Sequence, residues 1–213
     1  MVLKKEAAFF TLIVLFAVAI SLLAVNTVYR NPFNLSVRLF GINGFIALSI
    51  ATIITAFLKE ITIYLKKPFL KVHHYLAAAG LVLITLHPIM LAIQFLNPAV
   101  FLPNLQTLYL FLFYGGRQAL IIIYIAIAAV LLRRKIAAYW RWFHALMYVA
   151  LFFGIIHANL SGTDFILNPI VMVALNVLFG ATIFAFAIKR WQFYRVKKRK
   201  KQTLENTGQN QNV

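Results

Sequence analysis

Residues 73–88 read HHYLAAAGLVLITLHP, a stretch apolar enough to lie in lipid yet closed at both ends by histidine. Residues 144–157, HALMYVALFFGIIH, repeat the pattern. Between them the two stretches hold all five histidines: His73, His74, His87, His144 and His157. An imidazole inside a membrane span is costly, so it is found where it has a partner or a function. His73 and His87 are fourteen residues apart. That is nearly four helical turns and a rise of about 21 Å, so both point to nearly the same side. His144 and His157 are thirteen apart. Their rise is similar, but an ideal helix would turn the second roughly 140° from the first. A π-bulge or a changed helix orientation must make up the difference. His74 stands in the same thirteen-residue relation to His87, which favours His73 over His74.

The composition sets the solvent. Of 213 residues, 63% are hydrophobic and 12% charged, against about half and a quarter in a soluble domain. This is the composition of an all-α integral membrane protein. With about 20 apolar residues per crossing, six spans are expected, near 7–25, 39–58, 73–96, 113–132, 142–160 and 169–188. Leu108–Tyr114 is also apolar and suits the outer interface. The first span exceeds a signal-peptide core and lacks a small-residue cleavage site, so it reads as a retained helix. Lys and Arg fall eighteen on one side (N-terminus, second-to-third and fourth-to-fifth loops, tail) and three on the other: Arg30, Arg38 and Arg117. The positive-inside rule then puts both termini in the cytoplasm of a cell-membrane protein. The net charge of +17 is thus mainly a topology signal and not a nucleic-acid site. The block KRWQFYRVKKRKK is a stop-transfer flank able to meet anionic lipid. Residues 1–190 form the membrane domain, and 191–213 read as a basic, then polar, disordered tail.

With this topology the third and fifth spans run the same way, so their histidines match in depth: His73 (or His74) with His144 on the inner side, His87 with His157 on the outer. Two facing histidines at one depth can supply both axial ligands of a haem iron. Zinc or copper would want ligands converging at a single depth. Gly80 and Gly154 lie between the levels and leave flat space for a porphyrin, or alternatively for close helix packing. Arg38 and Arg117 are the outer candidates to neutralise a haem propionate, and Arg141 is the inner one. Trp140 and Trp142 read as interfacial anchors. Absence of cysteine excludes disulfides and thiolate-ligated clusters, and four acidic residues make paired-carboxylate chemistry a poor fit.

The histidine-bounded third span, together with WRWFHALMYVALFFGIIHANLSGTDF in the fifth, resembles the ferric reductase-like transmembrane superfamily. That superfamily includes the membrane parts of ferric reductases and NADPH oxidases and the haem subunit of the bacterial methionine sulfoxide reductase system. The resemblance covers roughly residues 7–190. It implies two b-type haems ligated by His73 (or His74), His87, His144 and His157. Many relatives continue into a flavin and nicotinamide domain. Here only about two dozen basic and polar residues follow the sixth span, with no glycine-rich dinucleotide fingerprint. The expectation is therefore an electron-transfer cytochrome b, the membrane subunit of an oxidoreductase. A separate flavoprotein or a membrane quinol would supply its electrons, and an external partner, ferric iron or oxygen would accept them. A quinol-oxidising subunit of a larger complex is the nearest alternative, and a haem-free transporter or scaffold the alternative of another class.

Overall fold

The computed structural model describes residues 2–26, 31–66 and 68–210. Arg30 and Lys67, both used in the charge count, lie outside them. Among the described residues there is no strand. Ten α-helices run α1 Val2–Val25, α2 Pro32–Ile53, α3 Leu58–Leu65, α4 Phe69–Phe95, α5 Leu108–Phe113, α6 Gly115–Leu131, α7 Trp140–Ala145, α8 Met147–Ser161, α9 Thr163–Leu167 and α10 Pro169–Asn210, with 3₁₀ turns at Ile54–Phe57 and Pro98–Phe101. Five helical stretches are long and apolar enough to cross a membrane: Ala7–Val25, Pro32–Leu65, Leu70–Phe95, Trp140–Ser161 and Pro169–Arg199. Gly115–Leu131, in the place of the fourth expected span, is shorter at 17 residues. Large side chains such as Leu12, Val82, Val177 and Phe184 are exposed, which fits an exterior in contact with lipid. Below, "inner" and "outer" name the bundle ends by the charge count.

Local chemistry accounts for the boundaries. α2 begins seven residues before the expected span because Asn31 caps it, its side chain accepting from Asn34 N–H at 2.7 Å, and Pro32 occupies the first turn. The fourth segment divides at Tyr114 into α5 and α6, and the fifth divides at Leu146 into α7 and α8. Over 191–213, expected to be a disordered tail, α10 continues as far as Asn210. Lys, Arg, Gln and Glu are good helix formers, and a helix nucleated in the span propagates through them cheaply. Residues 211–213 lie outside the described residues.

α2 is the central helix: 61% of its apolar window is buried, against 11% for α4. It packs along α4 and meets α1, α8 and α10, while α6 packs along α8. Ile42, Phe45, Ile46 and Leu48 of α2 join Ala119 and Ile123 of α6, Leu151 and Ile155 of α8 and Leu175 of α10 in the main core. α2 and α4 approach closely at Gly44, where a Cβ would stand 2.9 Å from the Ile84 backbone nitrogen. A backbone atom cannot move aside as a side chain can. Gly44→Ala should therefore force α2 from α4 and cost about 1–3 kcal/mol. Gly180→Ala on α10, where nothing lies within 4 Å, should leave stability unchanged or slightly raised. Thermal unfolding of both variants in detergent checks the contrast.

Candidate functional site

The histidines meet in two pairs. The rings of His73 on α4 and His144 on α7 have centres 6.3 Å apart, and those of His87 on α4 and His157 on α8 are 6.4 Å apart. Within each pair the planes are steeply inclined, at 82° and 71°. His74 is exposed, and its ring meets that of His73 at 5.8 Å. His73 is thus the residue opposite His144.

Each pair depends on backbone irregularity. His87 Nδ1 lies 2.7 Å from the Val37 carbonyl, His73 Nδ1 3.0 Å from Ala51 and His157 Nδ1 2.6 Å from Phe113. Helical carbonyls are normally taken by the N–H four residues on. At Phe113 that donor, Arg117 N–H, bonds Tyr114 instead (3.0 Å), so the break between α5 and α6 releases the carbonyl. At Ala51 the carbonyl that meets His73 lies just before the 3₁₀ turn Ile54–Phe57. At Val37 the access is lateral. A Cβ on Gly41 would fall 2.9 Å from His87 Nδ1, so the missing side chain seats the ring. Gly116 seats His157 in the same way, 2.9 Å from its Cδ2. The Ala126 carbonyl of α6 stands by the buried His144 Nδ1 without completing a hydrogen bond.

A neutral imidazole that donates from Nδ1 keeps its lone pair on Nε2, the state in which histidine binds a metal. A ligating histidine usually holds its other N–H against a carbonyl in this way. Two imidazoles on opposite faces of one metal, each with a bond of about 2 Å, stand with centres about 6 Å apart. Edge-to-face ring contacts span the same range, so the separation and the Nδ1 bonding must be taken together. α4 packs closely on α2 and α8 on α6, but α4 and α8 do not pack closely along their lengths. From Leu83 to Ala92 the α4 side chains are all half-buried. The residues present therefore fit a planar group held between two histidine-bearing helices. Among the described residues no group of three or more His, Cys, Asp or Glu could hold a bare metal ion.

The other expected site residues fall as follows. Arg38 follows Val37 on α2. It is buried, its Nε donating to Asp164 Oδ2 at 2.9 Å, with Nη2 on Asp164 Oδ1 and on the Ala24 carbonyl. Its guanidinium, expected to meet a propionate, is here engaged by a carboxylate. Arg117, beside Gly116, donates to the Ala99 and Leu102 carbonyls at 3.1 and 2.7 Å, and its guanidinium lies over the Tyr114 ring. Arg141 is exposed over Trp140, whose ring centre is 6.5 Å from that of His144. Gly80 does not open a porphyrin space: a Cβ there would meet Leu48 of α2 at 2.8 Å, so its role is close packing. Gly154 borders Phe45 at 3.6 Å. The thirteen-residue spacing contains the break at Leu146, where Leu146 N–H bonds the Phe143 carbonyl, three residues back, at 3.1 Å.

Sequence reasoning missed Gly41, Gly116, Asp164 and Ser161, whose hydroxyl lies 3.0 Å from His157 Nδ1. The glycines carried a signal, each standing in a span that faces a histidine segment. The carbonyls carried none. Lys189 of α10, counted only as flank, lies close enough to act electrostatically on both His73 and His144. Comparison with protein-family models, curated proteins and solved structures finds no match to this chain. In the isolated protein, His73, His87 and His157 should each carry hydrogen on Nδ1. Ring ¹⁵N resonances in selectively labelled protein report the tautomer, and an Nε2–H pattern at His87 and His157 would refute the arrangement.

Proposed function

We propose that this protein is a transmembrane b-type cytochrome that carries electrons between the two faces of a membrane through two bis-histidine haems, His73 with His144 and His87 with His157. Six spans with both termini cytoplasmic are part of the proposal, with α6 as the short fourth crossing. The observation that carries it is the coincidence of ring separation and Nδ1 bonding at two depths. Haem supplies one-electron transfer when bound. The chain's own residues do the rest. The histidines would hold the iron, and the Val37, Ala51 and Phe113 carbonyls fix ring tautomer and angle. The apolar core, including Phe45 and Leu151, excludes water and with it stray proton chemistry. Arg117 is the outer partner for a propionate, and Arg141 and Lys189 are the inner ones. The sequence resemblance to the ferric reductase-like superfamily points the same way. Electrons enter at the basic inner end from a separate flavoprotein or a quinol. They leave at the outer end to a partner protein or a small acceptor.

Purified protein should contain two haems per chain by pyridine haemochrome assay, with a reduced-minus-oxidised spectrum of low-spin type. His87→Ala and His157→Ala should each remove one, His144→Ala and His73→Ala the other, and His74→Ala neither. Folded protein without haem would refute the proposal. Direction is tested in sided proteoliposomes. With a reductant on the inner side and an impermeant acceptor outside, His87→Ala should keep inner-site reduction and lose acceptor reduction. Equal acceptor reduction in that variant would refute passage through the outer pair.

A further inference from the structure

The Arg38–Asp164 pair is buried on both sides, each side chain 6% exposed, at the outer end of an apolar bundle. Stability alone does not account for it. Desolvating two charges costs about what their attraction returns, and apolar residues of similar volume usually do as well or better. Its position suggests another role. The residue before Arg38 is Val37, whose carbonyl holds His87. Three residues before Asp164 is Ser161, whose hydroxyl lies 3.0 Å from His157 Nδ1. The forked contact of Arg38 with Asp164 therefore closes a circuit: His87, Val37, Arg38, Asp164, Ser161, His157. Arg38 also ties the circuit to α1 through the Ala24 carbonyl.

We infer that Arg38 and Asp164 are positioning residues that clamp the two outer histidines at their separation, acting through Val37 and Ser161 and touching no cofactor. This rests on the haem reading above and sharpens it, since it moves Arg38 from binding a propionate to holding the ligands. A planar two-point fork restrains distance and angle together, which a single hydrogen bond does not.

The test is a set of three variants: Arg38→Met, Asp164→Leu and the two combined. The combined variant is charge-neutral and should fold, with an unfolding temperature within a few degrees of native. A clamp acts by geometry. All three variants should therefore shift the outer-site midpoint potential in one direction and weaken outer haem retention by about 10- to 100-fold, the usual range for losing support behind a metal ligand. The inner site should be unchanged and serves as the control. A pair acting by charge behaves otherwise: the two single variants shift the potential in opposite directions and the combined variant returns it to native. That result, or an unaltered outer site in a folded combined variant, overturns the inference. If native protein holds no haem, the cytochrome reading fails by itself. The clamp is then judged on the ¹⁵N ring resonances of His87 and His157, which should lose their single Nδ1–H tautomer in the combined variant and keep it if the inference is wrong.

Discussion

A ring N–H that enters an apolar bundle must find an acceptor there, because lipid offers none. The arrangement of this protein follows from that constraint. Three of the four paired histidines satisfy it with backbone carbonyls, and two of those carbonyls lie beside a change in helix character: the 3₁₀ turn after Ile53 and the break at Tyr114. Irregular backbone at depth is tolerated in membranes where it serves a buried partner. Here each irregularity lies at a histidine level. The break at Leu146, beside His144, belongs to the same class.

The two histidine helices are seated alike. On α2, Gly41 faces His87, and Ala51 ten residues later offers its carbonyl to His73. On α6, Gly116 faces His157, and Ala126 ten residues later stands by His144. Each outer ring bonds a carbonyl a turn before its glycine, Val37 or Phe113. Two antiparallel helix pairs thus present two rings each at matching levels, and Thr85 and Tyr124 tie α4 to α6 between them at 2.8 Å. The sequence shows no internal repeat, because a seat of this kind needs a missing side chain and a backbone oxygen, and neither fixes its neighbours.

What could be read from the sequence follows the same division. Hydropathy and histidine spacing are properties of side chains, so the helical class, five of the apolar spans and the facing of His73 (or His74) with His144 and of His87 with His157 could be set out in advance. Roles that depend on where backbone atoms go could not. Gly80 and Gly41 look equivalent as letters, yet one meets Leu48 and the other a histidine ring. Arg38 is near the outer end by position, as expected. Its engagement with Asp164, 126 residues away, is a tertiary fact that no spacing encodes. In the tail, low hydrophobicity argues against a packed core, not against helix carried outward from a span.

That helix bears on where electrons would enter. α10 has 42 residues, about 63 Å of helix, while a bilayer with its headgroups is about 40–45 Å thick. Roughly 20 Å of it must therefore stand clear of the membrane. Arg195, Lys197, Lys198 and Arg199 are all exposed, and at about 100° per residue they occupy an arc of about 200°, with Phe193 and Val196 on the remaining side. Under the proposed function, this charge would attract an acidic donor protein, by an attraction that salt would weaken. Trp191, Phe193 and Tyr194, exposed in the preceding turn, suit the headgroup layer that such a helix crosses. Lys189, one turn nearer the bundle, is within electrostatic reach of His73 and His144, so a donor drawn to this helix would arrive at the inner histidine pair and not at the outer one.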